Sequence, residues 1–188
     1  YVASRLTRQV LRFDASTGAF IDAFVTASSG GLNQAEGLVF GPDGNLYVSD
    51  YSSGAIYKYN GTTGAFISQF VTAASGKLSA PEDMAFGPDG NLYVADNTRD
   101  SVVRFNGTTG AYIDDFVASG SGGLSSAVGL AFGPDGNLYV SSWQTNRILR
   151  YAGSTGAFID VYTTGGSLAS SPGLALAADA MALEIAPA

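Results

Sequence analysis

The segment Phe40-Gly-Pro-Asp-Gly-Asn-Leu-Tyr-Val-Ser-Asp50 recurs as Phe86 to Asp96, with Ala95 in place of Ser49, and again as Phe132 to Ser142, each copy beginning 46 residues after the last. A fixed period in this range marks a repeat architecture, in which each unit is one supersecondary element that buries its apolar surface only against neighbours. The segment itself says what that element is. Gly41-Pro42-Asp43-Gly44 reads as a tight turn, with Pro42 presetting φ, Asp43 bonding locally and Gly44 taking a positive φ. Leu46-Tyr47-Val48-Ser49 then alternates with period two, so successive side chains face opposite sides of a sheet.

Working outward, a unit reads as four antiparallel strands: one ending at Phe40, then 45–50, 55–60 and, past the turn Asn60-Gly61-Thr62-Thr63-Gly64, 65–71. A loop rich in Ser, Gly and Ala leads to the next unit. This is the pattern of a β-propeller blade. The expected fold is all-β, a propeller of four-stranded antiparallel blades, about four in number, forming a single domain over 1–188 with units 1–34, 35–80, 81–126, 127–170 and a partial unit 171–188. Asn60-Gly61-Thr62 and Asn106-Gly107-Thr108 match a glycosylation acceptor pattern, but Asn-Gly is also what a tight turn requires, and the turn reading is preferred.

Large side chains recur in register at Tyr1, Tyr47, Tyr93 and Tyr139, at Phe13, Tyr59, Phe105 and Tyr151, at Phe20, Phe66, Tyr112 and Phe158, and at Phe24, Phe70, Phe116 and Tyr162. All four sets are expected to pack blade against blade. Arg12, Lys58, Arg104 and Arg150 each stand ten residues before Asp22, Ser68, Asp114 and Asp160, so a cross-strand ion pair is expected in three blades of four.

Composition narrows the function classes. With 46% hydrophobic and 13% charged residues the chain has the material for a packed core. A net charge of −7 without any basic cluster argues against nucleic acid as partner, because phosphate neutralisation needs grouped Lys and Arg. There is no Cys for disulfides or thiolate metal sites, and no His. No stretch approaches the ~20 apolar residues of a membrane span, so none is expected.

Residues 37–50, Gly-Leu-Val-Phe-Gly-Pro-Asp-Gly-Asn-Leu-Tyr-Val-Ser-Asp, resemble the NHL-repeat β-propeller family, in which the turn glycine and the Tyr-Val-x-Asp strand stand at the same spacing, and the resemblance covers all four units. It implies a propeller fold, and a family of scaffolds, protein or carbohydrate binders and a few metal-dependent lyases and lactonases. The lyases of that family use a histidine base, which this chain lacks. A lactonase-like site would draw on Glu36, Glu82, Asp50, Asp96 and Asn97, whose order matches no family motif. The expectation is therefore no catalytic residues and no enzyme, a lactonase- or lyase-like activity being the last alternative.

Tyr1 to Ser4 aligns with the second strand of a unit, so the first blade lacks its innermost strand, and Ser171 to Leu176 resembles a spare copy of one. Two arrangements stay open: a four-blade ring closed by that strand, or an arc of a larger ring, including one made by homo-oligomerisation.

Residues that repeat in every blade are explained by the blade, so a specific site is sought where aligned positions differ. After the second strand these are Arg5, Tyr51, Asn97 and Trp143, preceded in two units by Asp50 and Asp96; the inter-blade loops add Gln34, Glu36, Glu82 and Asp83. Blade topology puts both loop sets at one end of the strands, where they would present a surface to a protein or glycan. Asp50 and Asp96 read as hydrogen-bonded strand ends, with a divalent cation such as calcium as the alternative; no other cofactor or metal is expected. The role expected is a binding or scaffold propeller, bacterial and extracellular or in the cell envelope, with a structural module of a larger secreted protein as the alternative.

Overall fold

The computed structural model describes residues 1–163 and, beyond them, the backbone of Ala175–Leu176 and Leu183–Glu184. The chain gathers into two compact units, 1–81 and 82–188. In the first, β1 (Val2–Ser4), β2 (Gln9–Phe13) and β3 (Phe20–Val25) form a three-stranded sheet, and β4 (Ala35–Phe40), β5 (Leu46–Asp50), β6 (Ala55–Tyr59) and β7 (Phe66–Val71) a four-stranded one. In the second, β8 (Pro81–Phe86) to β11 (Tyr112–Val117), with β9 (Leu92–Asp96) and β10 (Ser101–Phe105) between, form one sheet. There β12 (Ala127–Phe132), β13 (Leu138–Ser142), β14 (Arg147–Tyr151) and β15 (Phe158–Val161) form the other. Neighbours in sequence are neighbours in each sheet, and the paired strands are antiparallel. The expected strands coincide with these to within a residue or so at each end.

Within each unit two sheets pack through the alternate, buried side chains of their strands. In the first unit Val10, Phe24 and Val25 meet Leu32, Ala35, Leu46, Val48 and Tyr57. In the second Tyr93, Phe116 and Val117 meet Leu124, Leu130, Leu138, Val140 and Tyr151. The same aromatic joint is built twice. Tyr1 lies edge-on to Phe24 and Phe40 at 5.0 Å each, and Tyr93 edge-on to Phe116 and Phe132 at 4.9 Å each.

One of the four aromatic sets departs from expectation. Phe20, Phe66, Tyr112 and Phe158 open the outermost strands and remain 38–60% exposed. Phe66 covers Gly30, where a Cβ would come within 2.2 Å of its ring, and Phe158 does the same over Gly122. A position with the right period can therefore meet a glycine turn at the edge of a blade instead of the core.

At the hairpin ends the ion pairs form in register. Arg12, Arg104 and Arg150 lie opposite Asp22, Asp114 and Asp160, and each guanidinium binds both carboxylate oxygens, at 2.6 and 3.1 Å in the Arg104 pair. The turn aspartate joins in: Asp89 lies 3.7 Å from Arg104 and accepts a hydrogen bond from the Tyr93 hydroxyl. In the second blade Lys58 and Ser68 replace the Arg and Asp, and Lys58 turns to Asp43 at 2.7 Å. Burial raises the Asp43 pKa, but hydrogen bonds from Lys58, Asn45 and Tyr47 outweigh it and hold the carboxyl well below its usual range.

The strand expected to complete the first blade is β16 (Ala175–Leu176), which pairs antiparallel with β17 (Leu183–Glu184) in a two-stranded sheet. The rest of 171–188 lies outside the described residues.

Candidate binding surface

The loops that follow the second strand of each blade are short and pinned. Each reaches its third strand through a residue of positive φ, at Arg8, Gly54, Asp100 and Asn146. The buried residue before the loop secures it. Asp50 accepts hydrogen bonds from the amides of Asn33, Gln34, Ser52 and Ser53 and from the Ser52 hydroxyl. Asp96, also buried, accepts from the Arg99 amide at 3.2 Å. Their carboxylates thus serve the loop backbone from within. Among the described residues no group of three or more Asp, Glu, His or Cys is arranged to hold a metal ion.

In the first unit four of the sought residues converge. The Arg5 guanidinium stacks over the Tyr51 ring at 4.4 Å, donates to the Gln34 side chain at 3.2 Å and pairs with Glu36 at 3.4 Å. Desolvation pushes the Glu36 carboxyl above its usual range, and Arg5 opposes that shift. The backbone ties the same groups together, since the Tyr51 amide donates to the Gln34 carbonyl at 3.0 Å. Next to this cluster Leu6 is 94% exposed at the loop tip. The sequence reading passed over Leu6, although an apolar residue aligned with Ser52, Thr98 and Gln144 was a legible anomaly.

In the second unit Trp143 stands 49% exposed. Its amide donates to the Ser126 carbonyl at 3.0 Å and that of Gln144 to the Ser125 carbonyl at 3.3 Å. Ser142 takes the place of Asp50, its hydroxyl accepting from the Ser125 amide at 2.9 Å. Asn97 is partly exposed, and Glu82 is buried. Asp83 is a separate anomaly. Where Ser49 and Ser141 accept the amides of Gly37 and Gly129, Ala95 has no hydroxyl, and Asp83 replaces the glycine. Its carboxylate accepts from the amides of Met84 at 2.8 Å and Leu130 at 3.4 Å, while burial lifts its pKa to about 6.

A family model described as a repeat of unknown function (DUF6923) matches residues 5–150. No curated protein matches the chain in sequence. Among solved structures, a catalytically inactive variant of virginiamycin B lyase from Staphylococcus aureus with quinupristin is similar at a TM-score of 0.66 and 17% identity, over 90% of this chain and 53% of that one. A streptogramin B lyase is similar at 0.59 and 17%, over 84% and 49%. A chain of a nidogen/laminin complex is similar at 0.64 and 20%, over 89% and 62%. The chain thus spans about half the length of the lyases. At these identities the likeness shows the fold, a β-propeller repeat. The expectation that the chain is no enzyme is corrected: virginiamycin B lyase, an enzyme, shares this fold, and fold supplies no ground for setting catalysis aside.

Proposed function

Since the chain belongs to the repeat family of unknown function DUF6923, we propose that it is a binding propeller, of the kind the NHL resemblance implies, whose loop end receives a protein partner. The observation that carries this reading is the Arg5–Tyr51 stack, braced by Gln34 and Glu36, beside the 94% exposed Leu6. Arg and Tyr are enriched among residues that dominate protein interfaces, and a side chain already held in one conformer loses less entropy on docking. Leu6 supplies an apolar knob that folding leaves in water. The nidogen structure, in complex with laminin, supports a protein partner for such a fold.

The test is affinity capture from medium and envelope extracts of the source organism, with the wild-type chain beside an Arg5→Ala, Leu6→Ser, Tyr51→Ala triple variant of unchanged unfolding midpoint. Loss of one defined partner with the variant is expected; a partner retained in full by the variant would overturn the assignment.

A further inference from the structure

The loop end of the second unit differs in chemistry from that of the first, and we infer that Trp143 is the stacking platform of a site for a neutral hexopyranose glycan. This deepens the loop-end reading, resting on it only in taking the loop after a second strand as contact surface. Trp143 is 49% exposed, and the side chains beside it in the chain and across the loop are hydroxyls and amides: Ser125, Gln144, Thr145 and Asn146. A protein interface built around a tryptophan gathers further apolar anchors inside a polar rim, and none stands in the segment 142–147 before Ile148, which is buried. A pyranose asks for the other arrangement. Its axial C–H groups, slightly positive, lie against the negative face of the indole, and its equatorial hydroxyls reach out to side chains that both donate and accept.

The loop that carries the platform is held in place before any ligand arrives. The Trp143 amide donates to Ser126 and the Asn146 amide returns to the Trp143 carbonyl at 3.3 Å. The Thr145 hydroxyl donates to Ser142 at 2.7 Å, and Ser142 in turn to the Ser125 carbonyl at 2.9 Å. From the facing loop the Ser125 hydroxyl donates to Gln144 Oε1 at 3.1 Å, which orients that amide so that its NH2 group points its donors elsewhere. Asn146 holds a φ of 53° to close the turn. Side chains held this way pay little ordering entropy when a sugar binds. The sequence has a net charge of −7 and no cluster of Lys and Arg, which argues against a nucleobase carried on a phosphate chain as the stacked ring.

Trp143 is the only tryptophan in the chain, so its fluorescence reports on this site alone. The intact chain is titrated with cellotetraose, chitotetraose and maltotetraose, with calorimetry in parallel. Saturable change in emission with at least one of them is expected, weakened roughly tenfold or more by Trp143→Ala and less by Trp143→Tyr, which keeps a ring. Gln144→Ala, which leaves the ring in place, should weaken binding without abolishing the emission change. No change in emission and no heat with any of the three, or binding that survives Trp143→Ala, overturns the proposal. So does a captured protein partner that is lost with Trp143→Ala but not with the Arg5, Leu6 and Tyr51 substitutions. Failure of the protein-partner reading is registered separately, at those three residues.

Discussion

The two ends of a blade are made from the same strands and follow opposite rules. At the hairpin end the sequence repeats almost letter for letter, and its polar side chains are spent on one another. Asp89, Tyr93, Arg104 and Asp114 form one closed set, and Asp135, Tyr139, Arg150 and Asp160 its copy. At the loop end the pin is an aspartate in two blades, Asp50 and Asp96, and Ser142 in another, while Arg5, Tyr51, Asn97 and Trp143 stand at equivalent positions with unrelated chemistry. Repetition marks what the fold needs, and divergence held on a rigid backbone marks what the fold leaves for recognition.

The comparison breaks first if the hairpin end tolerates change. A Cβ on Gly107 would lie 1.8 Å from the Gly90 carbonyl oxygen, backbone against backbone. Gly107→Ala should cost about 3 kcal/mol of stability in chemical denaturation, because neither strand end can yield.

Asp83 sharpens the contrast, since it brings a carboxylate into a strand position that is glycine in the blades on either side, at Gly37 and Gly129. Its folded pKa of about 6 lies above the 3.8 of an ordinary aspartate, so the native state holds the proton more tightly than the unfolded chain. Its contribution is therefore fully favourable below about pH 4 and is lost as pH rises through about 6. Asp83→Asn should gain about 1–2 kcal/mol over wild type at pH 7 and nothing at pH 4, measured as the difference between paired denaturation curves.

Arg104→Met should cost about 1 kcal/mol, a modest figure because Asp114 is 45% exposed and water already screens the pair. Smallest of all, Arg5→Ala and Trp143→Ala should each change stability by less than about 0.5 kcal/mol, as surface substitutions do. A loss as large as that of Gly107→Ala would make these residues part of the scaffold.

The strands were legible because their turns are written in residues of fixed meaning: Pro42, Asp43 and Gly44 end one strand and begin the next. The Arg–Asp pairs were legible from their ten-residue spacing, which the turn register converts into direct opposition of Arg12 and Asp22. The outer position of Phe66 was not, because period two gives the face of a strand and not whether that face meets a neighbouring core or Gly30. In the candidate site, Arg5 and Trp143, singled out by divergence between aligned loops, are exposed and Tyr51 is partly so, but residue type alone did not separate Tyr51 from the buried Asp50 beside it. The burial of Asp50 depends on amides of Asn33 and Gln34, far away in sequence. Nor did it reveal Ser125 and Gln144 as partners across two loops.

The central claim, that recognition belongs to the loop end and structure to the hairpin end, is tested most directly by placing a photo-crosslinking side chain in turn at Tyr51 and at Thr62, opposite ends of β6. Both chains are exposed to the same extracts. A defined adduct from position 51 and none from position 62 is the predicted result; the same adduct from position 62, with none from position 51, would contradict it.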